Sequence, residues 1–435
     1  MSRVLVISPG VLPLPPVLGG AVENMITRLH PALSGAWEIE YISVRPPPQS
    51  LQQAAEWSKA RFHYIESINP LADFTSDNHF ELHESTKWQG YLDFCIEICR
   101  NRQPQLVHIH NEAHLIAPLR LALPNARLVL HVNDEVVTRM RHDDLDRLAQ
   151  SCDLILACSN YIAGQMDSAF AAAKKTPPPI EVFYNFVDTQ EYDPGSVTPE
   201  QLEQLRQRLA LKGRPILLFV GRMIEQKGPH LAVRAFRRAL SRHPNACMLL
   251  VGAPWYSRAN DSGFVNLVRA ESEAIADRVR FTGYVDHNRM PGYYLLADVV
   301  CAPSIWDDPS PFVTYEAQAM ARPVIASQRG GIPEIVEDHV TGRCIDVFNT
   351  QLFSQILEDW FSSPDLCRKL GEAGRLRVQE RFDLRKAQRE IAAVYENLCA
   401  GRKPCLASSE QCPEPTPRRA GFRGSCWTKT ENTTH

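Results

Sequence analysis

The chain has 435 residues, of which 44% are apolar and 22% are charged, and its formal net charge is −3. This length exceeds what one hydrophobic core usually serves, so it predicts two domains. The small net charge excludes a global electrostatic attraction to nucleic acid or to an anionic membrane. No stretch reaches the roughly 18 consecutive apolar residues of a spanning helix.

The amino-terminal sequence MSRVLVISPG indicates a first β-strand. Its apolar run is too short for the hydrophobic region of a signal peptide. We therefore expect a cytoplasmic protein, and we leave open a peripheral contact with the inner face of the membrane.

Short apolar runs rich in β-branched residues alternate with helical patterns along the chain. Near-continuous apolar strands between helices are typical of parallel sheets covered on both faces. Two such series predict an α/β protein with two Rossmann-like, doubly wound domains. The runs are RVLVIS, WEIEYISV, QLVHIH, ARLVLHVN, CDLILACS and IEVFYNFV in the first half, and RPILLFVG, ACMLLVG, RVRFTGYV, ADVVCAPS, RPVIAS and GRCIDV in the second.

The domain boundary is expected in the polar, turn-rich stretch 193–215. This places a first domain at 1–200 and a second domain at 201–384. A helix at 385–401 is expected to pack back toward the first domain. Residues 402–435 are rich in Pro, Ser, Thr and Arg without periodicity, which predicts a disordered tail.

No metal site is predicted. The twelve cysteines are scattered, and several lie inside apolar strands, where cysteine behaves as a small hydrophobic residue. Cys95 and Cys99 share a helix face, but no Cys or His pair follows at finger spacing. The acidic string HDDLD at 142–146 lies in a charged helical pattern and indicates a solvated surface.

Ligands of open α/β sheets bind beyond the carboxyl ends of the strands. After the strand ILLFV, Arg222 and Lys227 occupy a loop, and a helix is predicted to start near Gly228–Pro229. Arginine, lysine and a helix amino terminus all favour a bound anion. The alternative interpretation is two solvated loop cations.

The stretch WDDPSPFVTYEAQAM holds two acids eight positions apart. Ser310 is predicted to cap a helix with Pro311 at its first position, and Asp308 lies just before it. Glu316 lies more than one turn inside an apolar helix, where burial requires a polar partner that a ligand with several hydroxyls would supply. The alternative is that Asp308 caps the helix and Glu316 faces water. Gly330–Gly331 indicates either close backbone approach to a ligand or an ordinary turn.

In the first half, Gly19–Gly20 opens a helix and would expose amide donors. The dinucleotide fingerprint G-x-G-x-x-G is missing, which disfavours a dehydrogenase. His131 ends a strand, so it is either a structural residue or part of the cleft. His108 and His110 are expected to point to opposite faces of their strand.

Three segments together resemble the group 1, or family 4, glycosyltransferases: GRMIEQKGPHLAVRAF, GYVDHNRMPGYYLLADVVCAPS and DDPSPFVTYEAQAMARPVIASQRGGIPEIVEDHVTG. The resemblance runs from residue 3 to about residue 400 and is looser in the first half, at GGAVE, LHVND and YNFVD. It implies the GT-B architecture, in which two Rossmann-like domains face each other across a cleft, the first on the acceptor side and the second holding the nucleotide-sugar donor. It also implies a retaining transfer from a nucleotide-diphosphate sugar, with no cofactor, to a saccharide, lipid-linked or small-molecule acceptor. No nucleic-acid partner is implied.

The resemblance also assigns roles to residues of this chain. Arg222 and Lys227 would hold the donor diphosphate, Glu316 the ribose, and Asp308 the transferred sugar near His131. The donor site would further include Gly19, Gly20, Gly283, Tyr284, Phe312 and Val313, with Asn185 and Asp188 structural at the domain junction.

Three departures from the family pattern concern the same region. Pro311 removes one backbone donor from the loop. Asp308 replaces the commoner glutamate of the E-x7-E motif, which shortens its reach. Arg322 is taken to replace the glycine of EAMAxGxPV.

Two other functions fit the same residues. A nucleotide-sugar 2-epimerase on this fold would convert the donor without an acceptor. A catalytically silent scaffold would at most bind nucleotide.

Overall fold

The computed structural model describes residues 2–47, 60–65, 86–135, 137–211, 214–253 and 263–403. Within these residues, two separate parallel sheets confirm the predicted α/β class. We call the first sheet with its helices the first lobe, and the second sheet with its helices the second lobe. The strands of the first sheet are β1 Ser2–Ile7, β2 Trp37–Val44, β3 Arg61–Ile65, β4 Leu106–His110, β5 Arg127–Val132, β6 Leu154–Ala157 and β7 Ile180–Val182; those of the second are β8 Ile216–Val220, β9 Cys247–Val251, β10 Val279–Gly283, β11 Val299–Ala302, β12 Val324–Ser327 and β13 Gly342–Ile345.

Every predicted apolar run forms a strand, and one further strand was missed. That strand, β3, lies at the edge of the first sheet, and its residues are only partly buried. An edge strand with partial exposure lacks the continuous apolar run that identifies a buried parallel strand.

The two sheets have corresponding strand orders. They are β3-β2-β1-β4-β5-β6-β7 in the first and β10-β9-β8-β11-β12-β13 in the second. In both, the order reverses beside the first strand, between β1 and β4 and between β8 and β11. Such a switch point leaves a crevice at the carboxyl ends of the strands, where ligands of open sheets bind.

Helices cover both faces of each sheet, so the residues of the central strands β4, β5, β6, β9, β11 and β12 are almost all buried. They are α1 Ala21–Leu29, α2 Thr86–Arg102, α3 Ile116–Ala122, α4 His142–Ser151, α5 Asn160–Ala172, α6 Pro199–Arg208, α7 Pro229–Ala239, α8 Gly263–Glu271, α9 Met290–Leu296, α10 Phe312–Ala319, α11 Ile332–Ile335, α12 Thr350–Phe361, α13 Pro364–Arg381 and α14 Leu384–Cys399.

The chain crosses between the lobes twice, and the two crossings are hydrogen-bonded to each other. The amide of Val187 donates to the carbonyl of Phe382 at 3.0 Å, and the amide of Leu384 donates back to Val187 at 3.0 Å. After the second crossing, α14 buries Ile391 and Val394 in the apolar cluster beneath the first sheet. The predicted tail, apart from its first residues, lies outside the described residues.

Among the described helices, none combines the length and the apolar content needed to cross a membrane.

Candidate active site

Lys227 lies at the carboxyl edge of the second sheet, in the loop after β8. This loop packs closely against the loop after β11. The loop after β8 ends in a single 3-10 turn at Glu225–Lys227, and Gly228 then begins α7 with a left-handed φ of 69°. A Cβ atom on Gly228 would lie 2.0 Å from the carbonyl oxygen of Pro303, in the loop after β11. Only glycine permits this approach, and α7 starts at Pro229 as predicted.

The pressed loops bring Lys227 and Asp308 into an ion pair. The Nζ atom of Lys227 lies 2.6 Å from an Asp308 carboxylate oxygen, which also accepts from the Ser304 hydroxyl at 3.0 Å. Asp308 is only 4% exposed, so these two partners take the place of water around its carboxylate. Arg222 lies part-buried in the same β8–α7 loop. The structure thus places Lys227 and Asp308 in contact at this edge, with Arg222 in the loop that carries Lys227.

Gly330 and Gly331 approach protein backbone closely. A Cβ atom on Gly330 would lie 2.3 Å from the carbonyl oxygen of Asp308, and one on Gly331 would lie 1.9 Å from that of Pro309. The amide of Gly331 donates to Asp308 at 3.0 Å. These glycines therefore hold the Asp308 loop in place, and the backbone that they approach is the protein's own.

Glu316 is buried and has a protein partner, so a ligand is not needed to supply its first hydrogen bond and the alternative that it faces water is wrong. It is 6% exposed, and the Tyr294 hydroxyl donates to its Oε2 atom at 2.6 Å. Burial raises the pKa of Tyr294 well above its ordinary value, so the tyrosine stays a hydrogen-bond donor. The Nδ1 atom of His287 lies 3.9 Å from Oε1, beyond hydrogen-bonding distance.

The start of α10 differs from the prediction. Pro311, with extended backbone, occupies the cap position without a side-chain hydrogen bond, and the helix begins at Phe312. Ser310 is not the cap, because its hydroxyl bonds to the Tyr315 hydroxyl at 2.8 Å. Its carbonyl instead accepts from the Asn185 side chain of the first lobe at 3.0 Å.

Phe312 and Val313 form the first turn of α10, and both are part-buried. Phe312 packs against the apolar cluster of the first lobe, whereas Val313 packs against the core of the second. The first turn of α10 therefore lies where the lobes meet.

The position of the motif glycine in EAMAxGxPV also needs correction. The residue aligned with it is Ala321, and Arg322 is the next one along. Ala321 has a left-handed φ of 54°. Its amide donates to Gln318 and that of Arg322 donates to Ala317, both at 2.9 Å. This is a Schellman ending of α10, whose left-handed position ordinarily favours glycine.

Across the cleft, Gly19 faces the loop after β10. A Cβ atom on Gly19 would lie 3.4 Å from the hydroxyl of Tyr284, which follows Gly283 and is 42% exposed. Gly20 starts α1 with a φ of 106°, and a Cβ atom there would lie 2.1 Å from a Glu23 carboxylate oxygen. The structure thus brings Gly19 and Tyr284, both assigned to the site by the resemblance, to facing sides of the cleft.

Glu23 is a buried acid that the sequence analysis did not single out. It lies in the first turn of α1 and is 4% exposed. Burial raises its pKa to about 8, with a smaller contribution from the charge of Glu112. The first-lobe wall therefore holds a carboxyl group that is largely protonated at neutral pH.

His131 is fully buried inside the first lobe, with its ring edge-on to Phe183 at 5.4 Å. Burial lowers its pKa to about 3, so the imidazole is neutral. The prediction for the neighbouring pair was wrong, because residues two apart on a strand share a face. The rings of His108 and His110 stack at 4.3 Å, and His131 lies beside both.

The lobes are joined by an acid that sequence reasoning also missed. Glu334, at the start of α11, accepts from the backbone amides of Asn160 and Tyr161 at 2.7 and 2.8 Å. It also accepts from the Tyr184 hydroxyl at 2.9 Å. A carboxylate of the second lobe thus caps α5 of the first, a pairing that no local pattern signals.

Comparison with known proteins agrees with this geometry. The family models "Glycosyltransferase Family 4" and "Glycosyl transferases group 1" match residues 21–191 and 201–377. The chain is 26% identical to spore coat protein SA of Bacillus subtilis over 399 residues, 91% of this chain and 99% of that protein. It is 26% identical, over 60% of this chain and 65% of the relative, to the GDP-mannose-dependent alpha-(1-6)-phosphatidylinositol monomannoside mannosyltransferase of Mycolicibacterium smegmatis.

Among solved structures, Alr3699/HepE of Anabaena in complex with UDP superposes with a TM-score of 0.71. The two chains are 18% identical, and the match covers 91% of this chain and 100% of the other, which shows a shared fold. With both family models spanning the two lobes in order, the chain belongs to the group 1, family 4 glycosyltransferases and has the GT-B fold.

Proposed function

We propose that the protein transfers a hexosyl group from a nucleotide-diphosphate sugar to a hydroxyl of a saccharide, lipid-linked or small-molecule acceptor, with retention of anomeric configuration and without a metal ion at the diphosphate. The observation that carries the proposal is the Lys227–Asp308 pair at the switch point of the second sheet, 2.6 Å apart and beside the start of α7. A cation and an acid held together at that edge suit a ligand with adjacent phosphate and hydroxyl groups.

The proposed chemistry rests on the leaving group. The bond between the sugar C1 atom and the diphosphate oxygen breaks, and that oxygen takes the electron pair. Arg222, Lys227 and the first amides of α7 stabilise the developing negative charge. The acceptor oxygen attacks C1 from the face of the leaving group and gives its proton to the departing phosphate.

Two carboxylates orient the donor in this proposal. Glu316 keeps one oxygen on Tyr294 and offers the other to the ribose hydroxyls. Asp308 turns from Lys227 toward the sugar hydroxyls when phosphate oxygens take the lysine. Gly283 and Tyr284 line the base side. A contact between His131 and the sugar stays a prediction. In the structure the ring of His131 has no exposed surface.

The acceptor side is the first lobe. Gly19 and Gly20 line the cleft from this lobe next to the donor, and protonated Glu23 behind them suits neutral hydroxyl groups better than cations. The mycobacterial relative is named for an acceptor attached to phosphatidylinositol. We therefore propose a role in cell-envelope or polysaccharide biosynthesis, with peripheral contact at the inner face of the membrane.

The test is a screen of UDP-, GDP- and ADP-sugars with released nucleotide as the readout, with and without added glycans. Glu316→Ala is compared with Glu372→Ala, an exposed glutamate on α13 of the same lobe. We expect nucleotide release to fall at least 10-fold for Glu316→Ala and to be unchanged for Glu372→Ala. Unchanged release in Glu316→Ala, or heat-silent titration of the wild type with all three nucleoside diphosphates, would refute the proposal. Conversion of the sugar without nucleotide release would indicate the epimerase instead.

A further inference from the structure

Four buried histidines from three elements meet inside the first lobe. His30 lies at the end of α1, His108 and His110 on β4, and His131 on β5, and each has no exposed surface. His110 stacks on His108 and His131 with ring centroids 4.3 and 4.9 Å away. His30 lies edge-on to His108 and His110 at 5.4 and 5.9 Å. We call these residues the histidine cluster.

Five ring nitrogens of the histidine cluster have no hydrogen-bond partner among the described residues. They are Nε2 of His108 and both nitrogens of His110 and of His131. A buried polar atom left without a partner costs about 1–3 kcal/mol. Five such nitrogens in one place indicate that the cluster binds a metal ion or a hydrogen-bond donor, either of which would interact with the nitrogen lone pairs.

The hydrogen bonds around the cluster determine which nitrogens carry lone pairs. Nδ1 of His30 lies 2.9 Å from the carbonyl oxygen of Ile26, so it carries the proton and Nε2 is an acceptor. The Tyr395 hydroxyl lies 3.0 Å from that Nε2 and 2.7 Å from Nδ1 of His108. The Tyr395 hydroxyl has one proton and can donate only one of these two bonds. Because Nε2 of His30 can only accept, Tyr395 donates to His30, and Nδ1 of His108 donates to the Tyr395 oxygen.

This pattern matches that of metal-ligating histidines. Each of His30 and His108 uses one nitrogen as a donor to an oxygen, which leaves the other with its lone pair. Outer hydrogen bonds of this kind orient histidines that bind metals. In the unfilled cluster, Tyr395 occupies the lone pair of His30, and a metal ion would displace that hydroxyl proton.

One ring nitrogen from each of His30, His108 and His110 lies within 4.8 Å of one from each of the others. Nitrogens on a tetrahedral zinc ion lie about 3.3 Å apart, from metal–nitrogen distances near 2.0 Å. Side-chain rotations closing this difference would complete a three-imidazole set. We propose that the histidine cluster binds one divalent transition-metal ion of the zinc type, through His30, His108 and His110.

The ligand set decides the class of metal. Neutral imidazole nitrogens suit Zn²⁺, Co²⁺, Ni²⁺ and Cu²⁺, whereas Mg²⁺ and Ca²⁺ prefer oxygen ligands. The ion would be structural, since the rings are fully buried and lie in the first lobe, away from the cations proposed for the diphosphate. It would tie α1 to the sheet beside Tyr395 of α14.

The experiment uses the full-length protein, stripped with a chelator and returned to Zn²⁺. We expect one zinc per chain by elemental analysis and a rise in thermal midpoint. X-ray absorption at the zinc edge should show a shell of imidazole nitrogens, and this measurement needs no variant. No bound zinc in the wild type, or a shell containing sulfur, would overturn the proposal.

A pair of variants locates the site. His30→Gln/His110→Gln should lose the bound zinc, whereas His243→Gln, a part-buried histidine of the second lobe, should keep it. Circular dichroism checks that both variants fold. Zinc retained by the folded double variant would place the ion elsewhere and overturn the assignment. If the double variant does not fold, the absorption spectrum of the wild type decides.

Discussion

The side chains described at the carboxyl edges of the two sheets differ in whether they are ionised. In the second lobe, Lys227 and Asp308 carry opposite charges and are paired, and Glu316 accepts from Tyr294. In the first lobe, burial holds Glu23 largely protonated at neutral pH and His131 uncharged. We call the second-lobe edge with this ion pair the charged edge, and the first-lobe edge with these two uncharged groups the neutral edge.

This contrast accounts for the roles we propose for the two lobes on one fold. A nucleotide diphosphate needs charges that are already oriented, because reorganisation during the reaction would raise the barrier. A hydroxyl acceptor carries no charge, so binding it requires no opposite charge on the protein. The two sheets share a strand order, so the difference lies in the loops and in burial.

Removing the cation of the charged edge should have the largest effect. In Lys227→Met, turnover of the nucleotide sugar should fall about 100- to 1000-fold, the usual range for loss of one stabilising donor. Steady-state release of nucleotide measures it. Lys369→Met, an exposed lysine of α13, is the matched control and should be unchanged. If Lys227→Met kept more than a third of wild-type turnover, the second-lobe edge would not be the diphosphate site.

The neutral edge can be tested by pH. Between about pH 4.5 and 8 the folded state holds a proton on Glu23 that the unfolded state has released. The contribution of this proton to the free energy of unfolding is fully present below pH 4.5 and is lost as the pH rises through 8. Glutamine has the shape of protonated glutamate and cannot ionise. The free energy of unfolding of Glu23→Gln should therefore exceed that of the wild type by an amount that grows between pH 5 and 8 and is on the order of a few kcal/mol.

Chemical denaturation at pH 5, 6.5 and 8 gives this difference. Glu97→Gln, an exposed position on α2 of the same lobe, is the control. A difference between Glu23→Gln and wild type that stays constant with pH would mean that Glu23 is not held protonated.

Removing a contact between the two lobes should have a smaller effect on the protein, seen in its free energy of unfolding. Glu334→Gln removes the charge that caps α5 from the second lobe. The free energy of unfolding should fall by about 1–2 kcal/mol, as for other lost helix caps. Small-angle scattering should show a wider interlobe separation. Glu337→Gln, whose partner Arg377 lies in its own lobe, should leave the separation unchanged.

The smallest expected effect concerns the left-handed residue after α10. Ala321→Gly should raise the free energy of unfolding by about 1 kcal/mol, because glycine adopts φ of 54° without steric strain. Ala317→Gly, inside the same helix, should lower it by at least a similar amount. Denaturation curves for both variants check the opposite signs. A loss in Ala321→Gly would show that the helix end does not strain alanine.

Much of the second lobe could be predicted because its site residues follow their strands directly in the sequence. Lys227 comes seven positions after β8 and Asp308 six after β11, and neighbouring parallel strands bring such loops to one edge. The helix start at Pro229 was likewise local, since proline favours the first helical position. The prediction failed where the partner is distant, as with Tyr294 on Glu316.

The sequence by itself determined the α/β class, the two strand series and the loops that carry the charged residues, because periodicity and turn chemistry act over a few positions. Tertiary structure alone decided the state of the buried groups. Glu23 becomes a protonated acid and Glu334 a cap only because burial or a second lobe surrounds them. His30 meets His108 across 78 positions, and hydrogen bonding and desolvation depend on what lies nearby in space.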